Sequence, residues 1–417
     1  SGLTSEQFTG TLFKKEISGL IGSELSEDSG EIIINIKGEV DAADIHDWSG
    51  QSFLSRMSGK SSYDTSVHIV FGDDAKRSYV ESTSDLAGIL IDMPYPIGKE
   101  VQEERPFYYR QEFLEQGFQL DLTLGMAQAS LLVREDLVRG GVVHFGIGMP
   151  SQIEYDAVRV TGSFPRADYE DWNQFFLDME VISDLSLETE LEQSVKSIVL
   201  DIEELNLYSL LLESVSTTIT RSSDAWNAVL VNDVLKGEVI MLDDDERPLV
   251  VNLDYLRFPL DETEVVDPMA DVIPQELGEI DFSTRELNYG GEHYGSWSFQ
   301  LRPDAEGASL VNLAADLKGV SLEGAQLDWR YNESHSSIFA GNIKVNDLGT
   351  ALREWGYASS IEGSDFSLMA TFSWEGTPAA IDLDVIKGDV QLLDGKGRFV
   401  QAETGTGALK LLGIFDF

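Results

Sequence analysis

Apolar side chains fall on every second residue in one stretch after another of this 417-residue chain. In FSLMATFSW, Phe366, Leu368, Ala370, Phe372 and Trp374 alternate with Ser367, Met369, Thr371 and Ser373. Successive side chains of a strand point to opposite sides, so this stretch has one apolar face and one face tolerant of water. The same period of two recurs at Ile32, Ile34 and Ile36; at Val67, Ile69 and Phe71; at Leu120, Leu122, Leu124 and Met126; and at Val143, Phe145 and Ile147. It returns at Ile198, Leu200 and Ile202; at Leu249, Val251, Leu253 and Tyr255; at Trp297, Phe299 and Leu301; at Leu327, Trp329 and Tyr331; and at Ile381, Leu383 and Val385. The pattern predicts a mainly β, predominantly antiparallel chain. So many one-sided strands must be closed by a second sheet, by helices or by something that is not the chain itself.

Two internal repeats bear on the organisation. The segment from Glu204 to Gly237 aligns without a gap on that from Glu286 to Gly319, sharing Glu-Leu-Asn at the start, Leu-Lys-Gly at the end, and Ser214/Ser296 and Ser216/Ser298 between them. Each copy predicts strand, hairpin, strand, polar turn, strand, with turns at Arg221 to Asp224 and at Pro303 to Gly307. A second repeat runs from a strand into a short helix at Gly38 to Trp48, Gly162 to Trp172 and Gly341 to Leu352. There Asp44, Asp168 and Asp347 are expected to cap the helix starts, with Trp48, Trp172 and Leu352 packing the helices down. Stacked units of this kind make long objects, and no Pro- or Ser-rich linker divides the chain. Residues 1–417 are therefore expected to form one continuous elongated β region, with DDDE at Asp243 to Glu246 and DETEVVDP at Asp261 to Pro268 as solvated loops.

Composition removes several function classes. Lys and Arg number 29 against 74 Asp and Glu, a net charge of −45. Such a field repels phosphate, which argues against nucleic acid and against charge-driven docking on anionic lipid headgroups. The absence of cysteine excludes disulfides and thiolate metal sites. No run approaches the roughly 20 apolar residues of a membrane span, and the start carries no signal-like segment, as expected of a soluble piece of a longer protein.

The residues nominate no catalytic centre, cofactor or metal. The five histidines, His46, His68, His144, His293 and His335, show no metal-ligand spacing. There is no nucleophile elbow and no phosphate loop, and Gly405-Thr406-Gly407 reads as a tight turn. Among so many carboxylates, glycosidase-like pairs arise by chance. What stands out is collective: more aromatic and aliphatic strand surface, including Phe366, Phe372, Trp374, Trp297, Phe299 and Trp329, than a few short helices can cover.

Several segments resemble one family. Ser84 to Glu100, with its Met93-Pro94-Tyr95-Pro96-Ile97-Gly98-Lys99 turn, is similar to a strand and turn of the AsmA-like proteins of Gram-negative bacteria, and among these of the YhdP family. Phe53 to Ile69, Arg285 to Phe299 and Gly407 to Phe417 resemble the same family. The resemblance implies the C-terminal part of a periplasmic protein that is anchored in the inner membrane and reaches toward the outer one. It implies a bent antiparallel sheet forming a taco-like hydrophobic groove that carries phospholipid tails, with no enzymatic activity. On that reading the groove is lined by Ile69, Phe71, Leu122, Leu124, Phe145, Ile147, Leu200, Ile202, Leu253, Phe299, Leu301, Trp329, Phe366, Leu368, Phe372, Trp374 and Leu383. The alternatives are a structural or adhesive β-solenoid with a closed core and no ligand, and a carbohydrate-binding or carbohydrate-processing β-protein with Trp and Asp clustered on a solvent face.

Overall fold

The computed structural model describes residues 5–25, 29–72, 76–135, 137–148, 156–182, 194–207, 210–244, 247–258, 267, 269–356, 361–381 and 386–399. Two compact units share the chain: Ser1–Leu207 with Glu213–Arg221, and Tyr208–Leu212 with Ser222–Phe417. The first contains β1 (Ser5–Leu12), β2 (Lys15–Leu25), β3 (Gly30–Asp41), α1 (Ala42–Ser49), β4 (Met57–Phe71), β5 (Tyr79–Ser84), β6 (Ile89–Ile91), β7 (Phe107–Phe113), β8 (Phe118–Leu124), β9 (Ala127–Arg134), β10 (Leu137–Phe145), β11 (Val158–Asp168), α2 (Tyr169–Ile182) and β12 (Val195–Leu207). The boundary runs through β13 (Leu210–Arg221). The second contains β14 (Ala225–Val231), β15 (Leu235–Leu242), β16 (Leu249–Phe258), β17 (Ile280–Thr284), β18 (Leu287–Tyr289), β19 (Glu292–His293), β20 (Ser296–Asp304), β21 (Gly307–Leu317), β22 (Val320–Asn332), β23 (Ser334–Asp347), α3 (Leu348–Glu354), β24 (Ile361–Glu375) and β25 (Lys387–Phe399).

In the first unit, strands β1 to β5 and β7 to β10 pair antiparallel in chain order, with β5 against β7 and the short β6 on the start of β4. Then β10, β11 and β12 pair parallel. In the second, β14, β15 and β16 are antiparallel, β16 runs parallel to β17 and β18, and β17 with β20 to β25 completes an antiparallel series. The sheets are thus mainly β and predominantly antiparallel, as expected, with parallel pairs at β10 to β12 and at β16 with β17 and β18. A parallel neighbour requires a crossover of about a dozen residues or more. The chain supplies crossovers at 146–157, at 169–194, which includes α2, and at 259–279.

The gapless repeat has a structural counterpart. In both copies the Glu-Leu-Asn segment pairs parallel with an earlier strand, β11 in the first and β16 in the second: Glu204 and Asn206 sit opposite Arg166 and Asp168, and Leu287 and Asn288 opposite Leu256 and Arg257. Both polar turns form, ahead of β14 and ahead of β21. The copies then diverge. Leu235-Lys236-Gly237 lies inside β15, whereas Lys318 and Gly319, at φ 44° and 77°, make the two-residue turn between β21 and β22.

Two of the three expected caps hold. The Asp168 carboxylate accepts from the Glu170 and Asp171 amides at the start of α2. Asp347 accepts from the Thr350 amide and hydroxyl at the start of α3, bonds that hold its carboxyl below the usual Asp range. At α1 the cap is Asp41, not Asp44: Asp41 keeps extended φ and ψ as the last residue of β3 and accepts from the Ala43 amide, leaving Asp44 in the first turn. Nor does Trp48 pack that helix down. It is 75% exposed with its ring edge-on to Phe13, and Ala42 is the residue of α1 that is buried. Leu352 is buried, and half-buried Trp172 donates through its indole N–H to the Tyr95 carbonyl.

The core of the second unit is built on Leu301, Ala308, Leu310, Leu313, Ala325, Leu327, Trp329, Phe339, Ala370 and Trp374. Alternation alone would split Leu310 from Leu313. Asn312 takes φ 53°, a bulge opposite Gln326 absorbs one residue, and the two leucines return to one face. Part of this face is covered by the chain itself. Met269, Val272 and Leu277 pack on it, and Ala308 and Trp329 are fully buried. The cover is tied down by hydrogen bonds. The Trp329 indole donates to His335 Nδ1 at 3.1 Å, His335 Nε2 reaches the Ala270 carbonyl at 2.9 Å, and Gln275 donates to the Tyr331 carbonyl. Asp267, expected in a solvated loop, accepts from the buried Thr377 hydroxyl at 2.8 Å, and Trp374 donates to the Thr377 carbonyl.

The Pro-containing turn of the first unit is also a junction. Arg105 donates to the carbonyls of Pro96, Ile97 and Gly98, and buried Lys99 donates to those of Ile89 and Glu100. A small core of Ala42, Leu86, Ile89 and Ile91, with Met57, Met93, Ile97, Phe107 and Leu124 around it, forms at this rim of the sheet. At Gly59 an added Cβ would stand 2.0 Å from the Gly88 oxygen, so only glycine allows β6 to approach β4 there.

Two outcomes follow for stability. Trp329→Ala, which empties a fully buried site and orphans His335, lowers stability by roughly 3–5 kcal/mol, whereas Trp48→Ala leaves the thermal midpoint nearly unchanged. In hydrogen exchange read by mass spectrometry, Asp41→Ala speeds opening of Ala42–Ser49 about fivefold, the equivalent of about 1 kcal/mol of lost cap, and Asp44→Ala does not.

Candidate functional site: an apolar sheet face

Register decides which side chains share a face. In the first unit Ile34, Val67, Val80, Gln111, Leu120, Leu131, Gly141 and Val158 lie opposite one another in sequence across β3, β4, β5 and β7 to β11. The next row on the same face is Ile36, Thr65, Ser82, Tyr109, Leu122, Ala129, Val143, Val160 and Ile198. Beyond it comes Phe107, Leu124, Ala127, Phe145, Gly162 and Leu200, and on the other side Ile32 faces Ile69 and Gly30 faces Phe71. Six of the sequence-nominated residues, Ile69, Phe71, Leu122, Leu124, Phe145 and Leu200, are therefore brought to one side. Ile202, buried opposite Phe164, is a seventh. Ile147 does not join them: β10 ends at Phe145, Gly146 turns the chain, and Ile147 stands fully exposed.

The opposite side of the same strands carries a polar ladder. Glu31 Oε1 lies 2.6 Å from His68 Nδ1, His68 stacks on Tyr79 at 4.1 Å, and the Arg110 guanidinium lies 3.7 Å over the Tyr79 ring and bonds Glu112 at 3.2 Å. Farther along, Asp121 accepts from Ser130, and His144 pairs with Thr161. The two sides thus differ in polarity from β3 to β8, while on β9 and β10 the polar side also carries the buried Ser130, Leu132 and Val142.

In the second unit the nominated residues again share one face. Trp374, Ser337, Trp329 and Ala308 form one row across β24 to β21. Phe372, Phe339, Leu327, Leu310, Leu301, Ile280 and Leu249 form the next. Then Leu368, Ile343, Leu322, Ala315, Trp297, Thr284 and Leu253 follow, and finally Phe366, Val345, Val320 and Leu317. Phe299 stacks on Phe282 at 4.7 Å within this face. The residues differ in access: Trp329, Trp374, Leu301 and Leu253 are buried, while Phe299, Phe366, Leu368 and Phe372 are half-buried. Leu383 lies outside the described residues.

Sequence reading missed the cover. Met269, Val272 and Leu277 sit around Pro274 with no period of two, so nothing in their spacing marks them as partners of a sheet. It also missed that Thr65, Ser82, Tyr109 and Gln111 share the apolar face, because polar residues on a strand read by default as its wet side. The Tyr109 hydroxyl donates to Gln111 Oε1 at 2.5 Å, and burial pushes the Tyr109 phenol up.

Chemistry of other kinds finds no geometry. Among the described residues no three His, Asp or Glu side chains gather as a metal site. Each histidine is held locally: His46 by Asp47, His68 by Glu31, His144 by Thr161, His293 by Asn288 and His335 by Trp329. An open depression of about 320 Å³ among Asn252, Asp281, Ser283, Gln300 and Asn312 has its carboxylate, Asp281, already paired with Arg302 at 2.6 Å. No helix among the described residues is long and apolar enough to cross a membrane.

Neither the curated proteins nor the solved structures contain a match to this chain. The family described as YhdP protein matches residues 1–417, the whole of it, and the chain therefore belongs to the YhdP family.

Proposed function

We propose that this chain carries phospholipid between the inner and outer membranes across the periplasm, sheltering acyl tails on its apolar sheet faces. Membership of the YhdP family is consistent with lipid transport in general. The observation that carries the finer reading is the first unit's apolar face. It runs from β3 to β12, broken only by a few polar positions, and in its inner two rows Val67, Val80, Leu120, Leu122 and Val143 are half-buried, with no second layer of described strands or helices packed on them, while Ala129, Gly141 and Val158 at the β9 to β11 end are buried. Acyl chains supply the missing layer, each CH₂ withdrawn from water contributing about 0.8 kcal/mol. Neighbouring positions offer similar surface, so a tail moves along the rows with little change in free energy. The charge of −45 disfavours anionic headgroups at the protein surface and leaves tail burial as the main attraction.

The covered stretch at Trp329 and Trp374 suits a closed structural core better than a lipid path. In this proposal it ends the accessible part of the second unit's face, and lipid contacts there fall on Phe366, Leu368 and Phe372.

Native mass spectrometry of protein purified from bacterial cells without detergent tests the reading. Wild-type protein is expected to carry phospholipid. The pair Leu120→Asp and Leu122→Asp strips it while far-ultraviolet circular dichroism stays unchanged, and Thr123→Asp on the opposite face retains it. A lipid-free wild-type protein that also takes up no fluorescent phospholipid overturns the proposal in favour of a closed β-solenoid.

A further inference from the structure

The apolar face of the first unit is interrupted on β4, β5 and β7. There Thr65, Ser82 and Tyr109 point inward opposite one another in one row, with Gln111 beside Tyr109 in the next, and Ser61 and Ser84 bond each other nearer the rim. On the flanking strands the same face is apolar throughout: Ile32, Ile34, Ile36 and Gly38 on β3, and Phe118, Leu120, Leu122 and Leu124 on β8. Thr65 Oγ1 donates to Ser82 Oγ at 2.9 Å, and the Tyr109 hydroxyl donates to Gln111 Oε1. Next to them the Tyr63 hydroxyl is buried over Gly38 with no hydrogen-bond partner. Half-buried hydroxyl and amide groups in the middle of an apolar face cost desolvation without stabilising the fold more than aliphatic residues would. A ligand that is apolar at both ends and polar between them offsets that cost.

We infer that this row is a station for the ester-linked neck of a diacyl lipid, an inference that rests on the lipid reading above. The chemistry selects the neck over the headgroup. The row's groups are uncharged donors and acceptors, matched to uncharged ester carbonyls, and Arg110, the nearby cation, lies on the opposite face with Glu112 and Tyr79. The geometry agrees: three adjacent strands at about 4.8 Å spacing make a polar span of about 10 Å, bounded by the aliphatic positions of β3 on one side and β8 on the other, where the tails lie. A lipid crossing this unit therefore pauses here in one register.

The test compares binding of dioleoyl phosphatidylethanolamine with its dialkyl ether analogue, which lacks both carbonyls, to delipidated protein. Wild-type protein is expected to favour the ester about tenfold, the equivalent of one to two net hydrogen bonds. Tyr109→Phe with Gln111→Leu, and separately Thr65→Val with Ser82→Ala, remove partners in pairs so that no orphan is left. Each is expected to erase most of the preference while leaving ether-lipid affinity unchanged. Equal wild-type affinity for the two lipids, or a preference that survives in both variants, overturns the station and leaves the lipid reading standing. Failure to bind either lipid overturns both.

Discussion

Backbone hydrogen bonding in fixed register is the constraint on which the rest of this protein depends. A strand's side-chain period is two, so slipping any pairing by one residue would turn its apolar set to the wet side. The cross-strand pairs avoid this from β2 to β12 and from β14 to β25. Where alternation fails locally, as between Leu310 and Leu313, a bulge at Asn312 restores the side. The parallel crossovers keep the same discipline, since Val143 opposite Val160 and Val160 opposite Ile198 continue the row set by the antiparallel strands before them.

Once register is kept, the apolar faces follow, and so does the question of what covers them. The chain answers it in two ways. At Trp329 and Trp374 it folds its own segment over the sheet and ties it through His335, Gln275 and Asp267, whose hydrogen bonds link the cover to the strands. In the first unit the described residues form a rim, where Ala42, Ile89 and Ile91 pack beside the Pro-containing turn and Arg105 binds three of its carbonyls. The open rows beyond that rim are where a lipid ligand makes physical sense, and they are also where the polar row of Thr65, Ser82 and Tyr109 stands.

Acidity and fold are separate matters here. The carboxylates line outward positions and turns, paired locally as Asp304 is with Arg330 and Glu292 with Lys318, whose partners lower both carboxyls below their ordinary range. Exposed pairs of this kind contribute little to stability. Their effect is a negative exterior around an apolar side, which separates the two environments that a phospholipid also separates.

Alternation by itself determined that the chain is β and which residues of each strand travel together. Phe366, Leu368, Phe372 and Trp374 share a side because a period of two permits nothing else. Capping chemistry at Asp168 and Asp347 was legible for the same reason, being local, although α1 starts at Ala42, so that its cap is Asp41, three residues before the expected Asp44. Tertiary structure alone decided what each face meets. Trp329 and Leu368 carry the same pattern, yet one is fully buried under Met269 to Leu277 and the other is half-exposed, because the cover comes from a distant, non-periodic segment. It likewise decided that Thr65, Ser82 and Tyr109 meet, on three strands whose pairing is set by backbone register and not by any spacing along the chain.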